Sequence, residues 1–356
     1  MIYPEPSCIN IIVIFDMKPH IFYFPFSSGV NKYSERIRTI LSTITDVSPL
    51  SLKEECANLL KLRKRKGGVA VVNWVENMLV SSNGCFSVYG LLKLMFAMIT
   101  LKIRFDKVIY IQHNLYPHDT NESDIKRVRW CINYLTKIVD ITAAHSPHLS
   151  SKVYIPHPLY RSPMVSLPAN NNFNREDGPY LIFGRIEPYK KIESVIQQFP
   201  SNKKLIIAGA CSDNNYAKHL MQLVANKPNI VLISRFLSDE EVEAIISRCT
   251  AIIISHADPD MIVSGSFFYA ITEQLPVLAI SSPFLEWAES ELGNEIVRTF
   301  VGLEKMMDHI QVDNVIDPKN HKFSEKNINK INQMFSDETI IKTFSNLLST
   351  MNIKDY

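Results

Sequence analysis

Short apolar runs, each followed by a stretch with helical spacing, set the rhythm of this chain. Residues 11–15 and 69–72 are apolar throughout, the pattern of buried parallel strands rather than half-exposed ones, and 107–112 and 139–143 also read as strands. A loop at 25–33 leads into a helical pattern that runs to residue 45, and a later helix ends near Lys137. Ser27, Ser28 and Gly29 precede the first helix and form either a turn and cap or a place for a polar ligand. The run 88–101 is strongly apolar and broken only by Lys93. It is shorter than the roughly 20 residues that a spanning helix needs. It predicts either a core helix or one lying at a membrane interface, with Lys102, Arg104 and Lys107 nearby.

The second half repeats the rhythm with sharper definition. Strands are expected at 180–183, 204–208, 230–233, 250–255 and 276–280, and helices at 192–198, 215–226 and 266–274. Glu241 falls three residues after Ser238, a capping box that starts another helix. Residues 310–315 predict one more short strand, and 327–351 a helical end able to pack back on the first half. Strand alternating with helix in both halves predicts an α/β protein of two Rossmann-like, doubly wound domains. Prolines around 154–158 and the polar, irregular stretch 170–178 place the boundary. The expected division is 1–168, 169–325 and a terminal helix at 326–356.

Composition agrees: 356 residues allow two domains with a core each, and 46% hydrophobic against 21% charged residues is globular rather than disordered. None of Cys8, Cys56, Cys85, Cys131, Cys211 and Cys249 forms a close pair at metal-ligand spacing, which points to a reducing cytoplasm and away from structural zinc. No basic-then-apolar leader is visible at the N-terminus. The net charge of +2 hides an asymmetry: residues 1–165 hold 20 Lys/Arg against 12 Asp/Glu, and residues 166–356 hold 18 against 24. A basic first half suits an anionic lipid surface, nucleic acid or a phosphate-bearing substrate, or is a scatter of solvated lysines. The densest run is Arg63, Lys64, Arg65 and Lys66, either a solvated helix end or a contact for phosphate or lipid head groups.

Two stretches carry candidate chemistry. In the segment 180–193 an apolar strand ends at Gly184, Arg185 follows, and Lys190 and Lys191 arrive as a helix begins. Glycine permits a sharp turn, and a helix start offers free N–H groups beside the cations, so the segment is either a phosphate cradle or a plain turn. In the first half the strand 107–112 delivers His113, Asn114, His118 and Asp119 to the carboxyl edge of the sheet, where ligands of such sheets gather. His113 reads as a base or sugar contact, and Asp119 as a base or an orienter of His118. No G-x-G-x-x-G follows 11–15 or 180–183, and neither a P-loop nor a G-x-S-x-G occurs, which counts against dinucleotide, P-loop and α/β-hydrolase chemistry.

The order of these segments resembles the GT-B glycosyltransferases, notably the family 4 superfamily of bacterial surface polysaccharide synthesis, over about residues 105–290. FGRIEPYKKIE resembles its G-R-x4-K segment, which implies that Gly184, Arg185 and Lys190 hold a nucleotide diphosphate. LIIAG, ending at Gly209, resembles the next strand and glycine, and NIVLISRFLSDEEVEAIISRC the segment framing the base, which puts Arg235 and Phe236 at that contact. QHN at 112–114 resembles the loop whose histidine approaches the donor sugar, and LPVLA at 275–279 the strand after the sugar-binding helix. One departure stands out. The superfamily's two glutamates, eight apart, would fall at Met261 and Tyr269, so that pair is absent. In its place are Asp258 and Asp260, then Ser264, Gly265 and Ser266 opening a helix whose N–H groups can take a diphosphate. This arrangement resembles a divergent group of exopolysaccharide mannosyl- and glucuronosyltransferases, some of which invert the anomeric centre.

The resemblance implies two domains facing each other across a cleft, a UDP-, GDP- or dTDP-sugar donor, and a polyprenyl-diphosphate-linked saccharide acceptor. Fixed cations and helix termini would serve the leaving diphosphate without a metal or other cofactor. A base from the first domain, His113, Asp119 or His118, would serve inversion. Glu286 would meet ribose hydroxyls. The basic first domain would rest on the anionic cytoplasmic face of the inner membrane through Arg63, Lys64, Arg65 and Lys66. Nucleic acid is disfavoured by the acidic second half and the lack of a recognised motif. A GT-B epimerase or phosphorylase, and a degenerate GT-B scaffold in a polysaccharide assembly complex, remain the alternatives.

Overall fold

The computed structural model describes residues 19–27, 32–164, 178–256, 262–312 and 323–351. The strand expected at 11–15, Ser28, Gly29, the linker residues 170–177, Asp258, Asp260 and Met261 lie outside the described residues. Within them the first half runs β1 (Ile21–Phe24), α1 (Tyr33–Ser42), β2 (Val47–Pro49), α2 (Leu52–Leu60), β3 (Val69–Asn73), α3 (Val88–Arg104), β4 (Lys107–Gln112), α4 (Ile125–Ile138), β5 (Ile141–Ala144) and β6 (Val153–Tyr154). The strands form one parallel sheet in the order β2-β1-β3-β4-β5-β6. Strand alternation divides β3 between two cores. Ala70 and Val72 pack with Leu94 and Met98 of α3 and Val128 and Leu135 of α4, whereas Val69 and Val71 pack with Ile37 and Leu41 of α1. Coverage on both faces is why the strand reads as continuously apolar.

The second half runs β7 (Tyr180–Phe183), α5 (Ile192–Gln198), β8 (Leu205–Ala208), α6 (Asn214–Val224), β9 (Ile230–Ile233), α7 (Asp239–Ile246), β10 (Ile252–Ile254), α8 (Gly265–Thr272), β11 (Val277–Ile280), α9 (Pro283–Leu292), β12 (Val297–Phe300) and α10 (Leu303–Val312). Its parallel sheet has the order β12-β11-β10-β7-β8-β9. The strand expected at 310–315 is corrected as far as it is described: residues 310–312 are the last turn of α10. Met306, Met307 and Ile310 are buried there at helical, not alternating, spacing.

Two helices close the chain, α11 (Glu325–Phe335) and α12 (Asp337–Thr350). Ile331 and Phe335 of α11 join the core of the second sheet, while Ile340, Phe344 and Leu347 of α12 enter the core of the first. Arg36 of α1 pairs with Asp337 at 2.6 Å and donates to the Leu159 carbonyl. Asn332 exchanges two hydrogen bonds with the Met164 backbone. Strand order reverses direction between β1 and β3 in the first sheet and between β7 and β10 in the second. In such sheets the crevice beyond the carboxyl ends of those strands is where ligands bind.

Candidate functional site

At the second switch point β7 ends in Gly184, whose φ of 106° lies in the region that favours glycine. A Cβ there would come within 3.3 Å of Lys190 Nζ and 3.6 Å of Ser266 Oγ. Gly209, after β8, is glycine for a different reason: its Cβ would sit 2.0 Å from the Gly184 carbonyl oxygen. Two glycines thus let neighbouring strand ends close up and leave open the space in front of Lys190.

Among the described residues, Glu187 is the carboxylate set against the cations there. Lys190 is buried, its backbone carbonyl accepting from Ser255 Oγ at 2.6 Å beyond β10. Burial, then the neighbouring Arg185 guanidinium, push its ammonium down to about 8, partly offset by Glu187. Arg185 is largely exposed and reaches Glu187 only at 3.6 Å. His256, after β10, is pushed down to about 3 by burial and then by Lys190, His118 and Lys191. Lys191 itself closes the turn in a left-handed conformation, φ 52°, rare for a non-glycine residue.

Opposite stands the N-terminus of α8. Ser264 caps it, accepting from Phe267 N–H at 3.4 Å, and Ser266 Oγ donates to the Phe183 carbonyl at 3.1 Å. The side chains of Ser264 and Ser266 therefore build the corner, and the first N–H groups of the helix, which have no intrahelical acceptor, are what it can offer a ligand. Where a second glutamate would fall, Tyr269 packs on Phe183 with ring centroids 4.8 Å apart. The remaining second-half candidates follow other strands. Arg235 forks onto Glu241 at 2.6 and 3.0 Å, beside the capping box, and leaves Phe236 exposed after β9. Glu286, in the first turn of α9, accepts from Ser281 Oγ.

The first half splits its three candidates. His113 is buried: its Nε2 is the donor to Asn73 Oδ1 at 3.0 Å, because Asn73 spends its amide N–H on the Phe24 carbonyl. Its ring stacks on Trp74 at 4.3 Å, and burial, then His145 and His157, hold its pKa well below the usual histidine value. Trp74 is itself left-handed at φ 52°. His118, further along the same loop, reaches the second half and stacks on Tyr189 at 4.8 Å, nearly parallel. Asp119 is exposed on the same loop.

Sequence reading missed the column that joins the halves. His145 Nδ1–H donates to the Ile155 carbonyl and its Nε2 accepts from Tyr33 Oη, both at 2.7 Å. His157 Nδ1–H donates to the Pro158 carbonyl at 2.8 Å while the ring stacks on Phe268 of α8 at 4.2 Å. The signal available was position: His145 directly follows β5 as His113 follows β4. Of the basic run, all four exposed, Arg65 is bound to Asp106 at 2.9 Å and Lys66 to Glu55 at 3.1 Å. Among the described residues no group of three His, Cys, Asp or Glu is placed to hold a metal ion.

No protein-family model matches the sequence, and no curated protein is similar to it in sequence. Solved structures are similar in fold. HepE of Anabaena in complex with UDP-glucose superposes with a TM-score of 0.63 at 14% identity over 93% of this chain and 100% of that one. The lipopolysaccharide outer core galactosyltransferase WaaB, in its apo form, gives 0.56 at 13% over 93% and 99%. Sucrose-phosphate synthase of Thermosynechococcus elongatus gives 0.59 at 12% over 94% and 98%. With two parallel sheets, each of six strands among the described residues and each with its switch point at the carboxyl edge, the chain has the GT-B fold of these structures.

Proposed function

We infer that the protein is a glycosyltransferase that moves a sugar from a nucleoside diphosphate to a hydroxyl of a lipid-linked saccharide. The observation that carries this reading is the convergence at the β7/β10 switch point of Gly184, the Lys190 ammonium and the N-terminus of α8, with exposed Arg185 next to Gly184. A diphosphate there would set negative charge against Lys190, whose ammonium is pushed down by burial and then by Arg185. UDP-glucose bound to HepE, a protein of the same fold, supports a nucleotide-sugar as donor. Gly209, Arg235, Phe236 and Glu286 belong in this reading to the base and ribose.

Fixed cations and helix N–H groups would stabilise the departing diphosphate, so the reaction is read as needing no divalent ion. The absence of a carboxylate at Tyr269 favours inversion. In that step the acceptor oxygen bonds to the anomeric carbon as the bond to the diphosphate breaks. The hydroxyl proton passes to a base, and the charge leaves on the nucleotide. His113, neutral and oriented by Asn73, suits a hydrogen bond to the sugar better than proton abstraction, because a depressed pKa makes a weak base. Asp119 and His118 are the candidate bases.

The acceptor is read as a saccharide on a polyprenyl diphosphate, in capsule, O-antigen or exopolysaccharide synthesis on the cytoplasmic face of an anionic inner membrane. Support comes from the basic first half. A screen of UDP-, GDP- and dTDP-sugars for thermal stabilisation and slow hydrolysis tests the donor half of the reading. One class is expected to stabilise, and Arg185→Ala to weaken it by roughly 10- to 150-fold, the equivalent of about 1.5–3 kcal/mol for a charge-assisted hydrogen bond. If no nucleoside diphosphate binds, the enzyme reading fails and a degenerate GT-B scaffold replaces it.

A further inference from the structure

The outer side of α3 has the reverse of the usual polarity. Its inward face is filled by Leu94, Ala97, Met98 and Leu101, as expected of a core helix. Yet Val88, Tyr89, Leu92, Phe96, Ile99 and Ile103 are all exposed, Tyr89 to 78% and Leu92 to 64%. At 100° per residue these six positions fall within one arc of about 100°, a single stripe along the whole helix. Lys93 borders one edge of the arc and Lys102 the other.

Neighbouring α4 extends the same surface. Trp130 and Tyr134, one turn apart and stacked at 6.0 Å, are exposed to 66% and 49%. Exposed Lys126, Arg127, Arg129 and Lys137 stand around them. Neither α3 nor α4 contains an Asp or Glu, although Asp140 and Asp124, at the two ends of α4, pair with Lys102 at 2.7 Å and with Arg127 at 3.1 Å. At the C-terminal end of α3, Arg104 Nη1 donates to the carbonyls of Arg63 and Lys64, which pins that loop, with exposed Leu62, beside the stripe.

We propose that the α3–α4 surface is a membrane-docking face that inserts its apolar stripe among the acyl chains of an anionic bilayer, with the flanking cations at the head groups. Charge complementarity selects this occupant. A second copy would bring a net excess of cations against itself, whereas anionic lipid attracts that excess, and aromatic rings beside lysine and arginine suit the interface. Among the described residues no helix is long and apolar enough to cross a membrane, so the contact lies in the interface plane. The face adjoins the cleft. The loop before α3 is tied to the loop carrying His118 and Asp119 by Asn121 N–H to the Gly84 carbonyl at 2.8 Å and Phe86 N–H to Asp124 at 2.9 Å.

The proposal deepens the reading of a lipid-linked acceptor and rests on it for purpose alone, since vesicle binding and donor binding are measured separately. The test is flotation of the full chain with vesicles of phosphatidylcholine alone and with about a third phosphatidylglycerol at physiological ionic strength. Binding to the anionic vesicles is expected, at least tenfold weaker for Leu92→Ser/Ile99→Ser with thermal stability and nucleotide binding unchanged. Lys126→Glu/Arg129→Glu is expected to bind anionic vesicles as poorly as wild type binds neutral ones. Wild type that ignores anionic vesicles overturns the proposal, as does Leu92→Ser/Ile99→Ser binding as wild type does. A dimer that the same serine variant dissociates, with no vesicle binding, assigns the face to a second copy instead.

Discussion

Lys190 and His118 show how single residues acquire chemistry here by where the backbone puts them. Lys190 sits at the end of a 3₁₀ turn, 188–190, that leads into α5, with its ammonium in the gap left by Gly184. His118 reaches the same region from the other sheet by stacking on Tyr189. A proton acceptor must lie near the acceptor hydroxyl, so removing it should lower turnover without loosening the donor. Asp119→Asn or His118→Gln is expected to reduce kcat by about 10²- to 10⁴-fold, the usual contribution of general base catalysis, with the donor KM near wild type. Steady-state kinetics on both variants identifies which residue is the base. Neither reduction would remove both from the chemistry.

At the scale of elements, what could be read in the sequence followed how local the cause was. The capping box at Ser238 is present with both of its bonds, because four consecutive residues determine it. Ser238→Ala should therefore cost about 1 kcal/mol, measured by chemical denaturation, from the loss of one cap acceptor. β7 and β9 appear at the expected residues, since buried parallel strands leave an unbroken apolar run. Residues 310–312 went the other way: a short apolar alternation is compatible with either period, and packing of Met306 and Ile310 against the second core decided for helix. β2 and β6 were illegible, being two or three residues long and held by their neighbours rather than by their own composition. The turn at 184–191 was legible because glycine, cations and a helix start lie within ten residues. The His145–Tyr33 pair was not, as its partners are 112 residues apart and meet only in the folded sheet. Arg65 and Lys66 likewise showed their charge in the sequence but not the carboxylates that occupy them.

For the molecule as a whole, the seam between the halves is built from aromatic rings and neutral histidines, and that gives the fold an acid limit. His145 is pushed down to about 4 and His256 to about 3, chiefly by burial, and His113 and His157 lie well below the ordinary value for the same reason. Each is neutral when folded and takes up a proton near pH 6.5 when unfolded, so the unfolded state binds more protons on the acid side. The stability they confer is complete above pH 6.5 and is lost as pH falls from there toward their folded values. At pH 5 each loses at most about 2 kcal/mol. Denaturation followed from pH 7 to 5 should show a steep fall, and a flat profile would mean that these histidines are not buried neutral.

The most direct measurement is calorimetric titration of the preferred nucleoside diphosphate into wild type and Lys190→Met, at pH 7 and again at pH 9. Lys190 titrates near 8 in the free protein, and a bound diphosphate would raise that value. Affinity should thus hold below pH 8 and weaken above it, by up to about tenfold per pH unit, with proton uptake on binding. Lys190→Met should bind at least tenfold more weakly at pH 7 and lose that dependence. Equal affinity of variant and wild type at pH 7 would contradict a diphosphate site at the β7/β10 switch point.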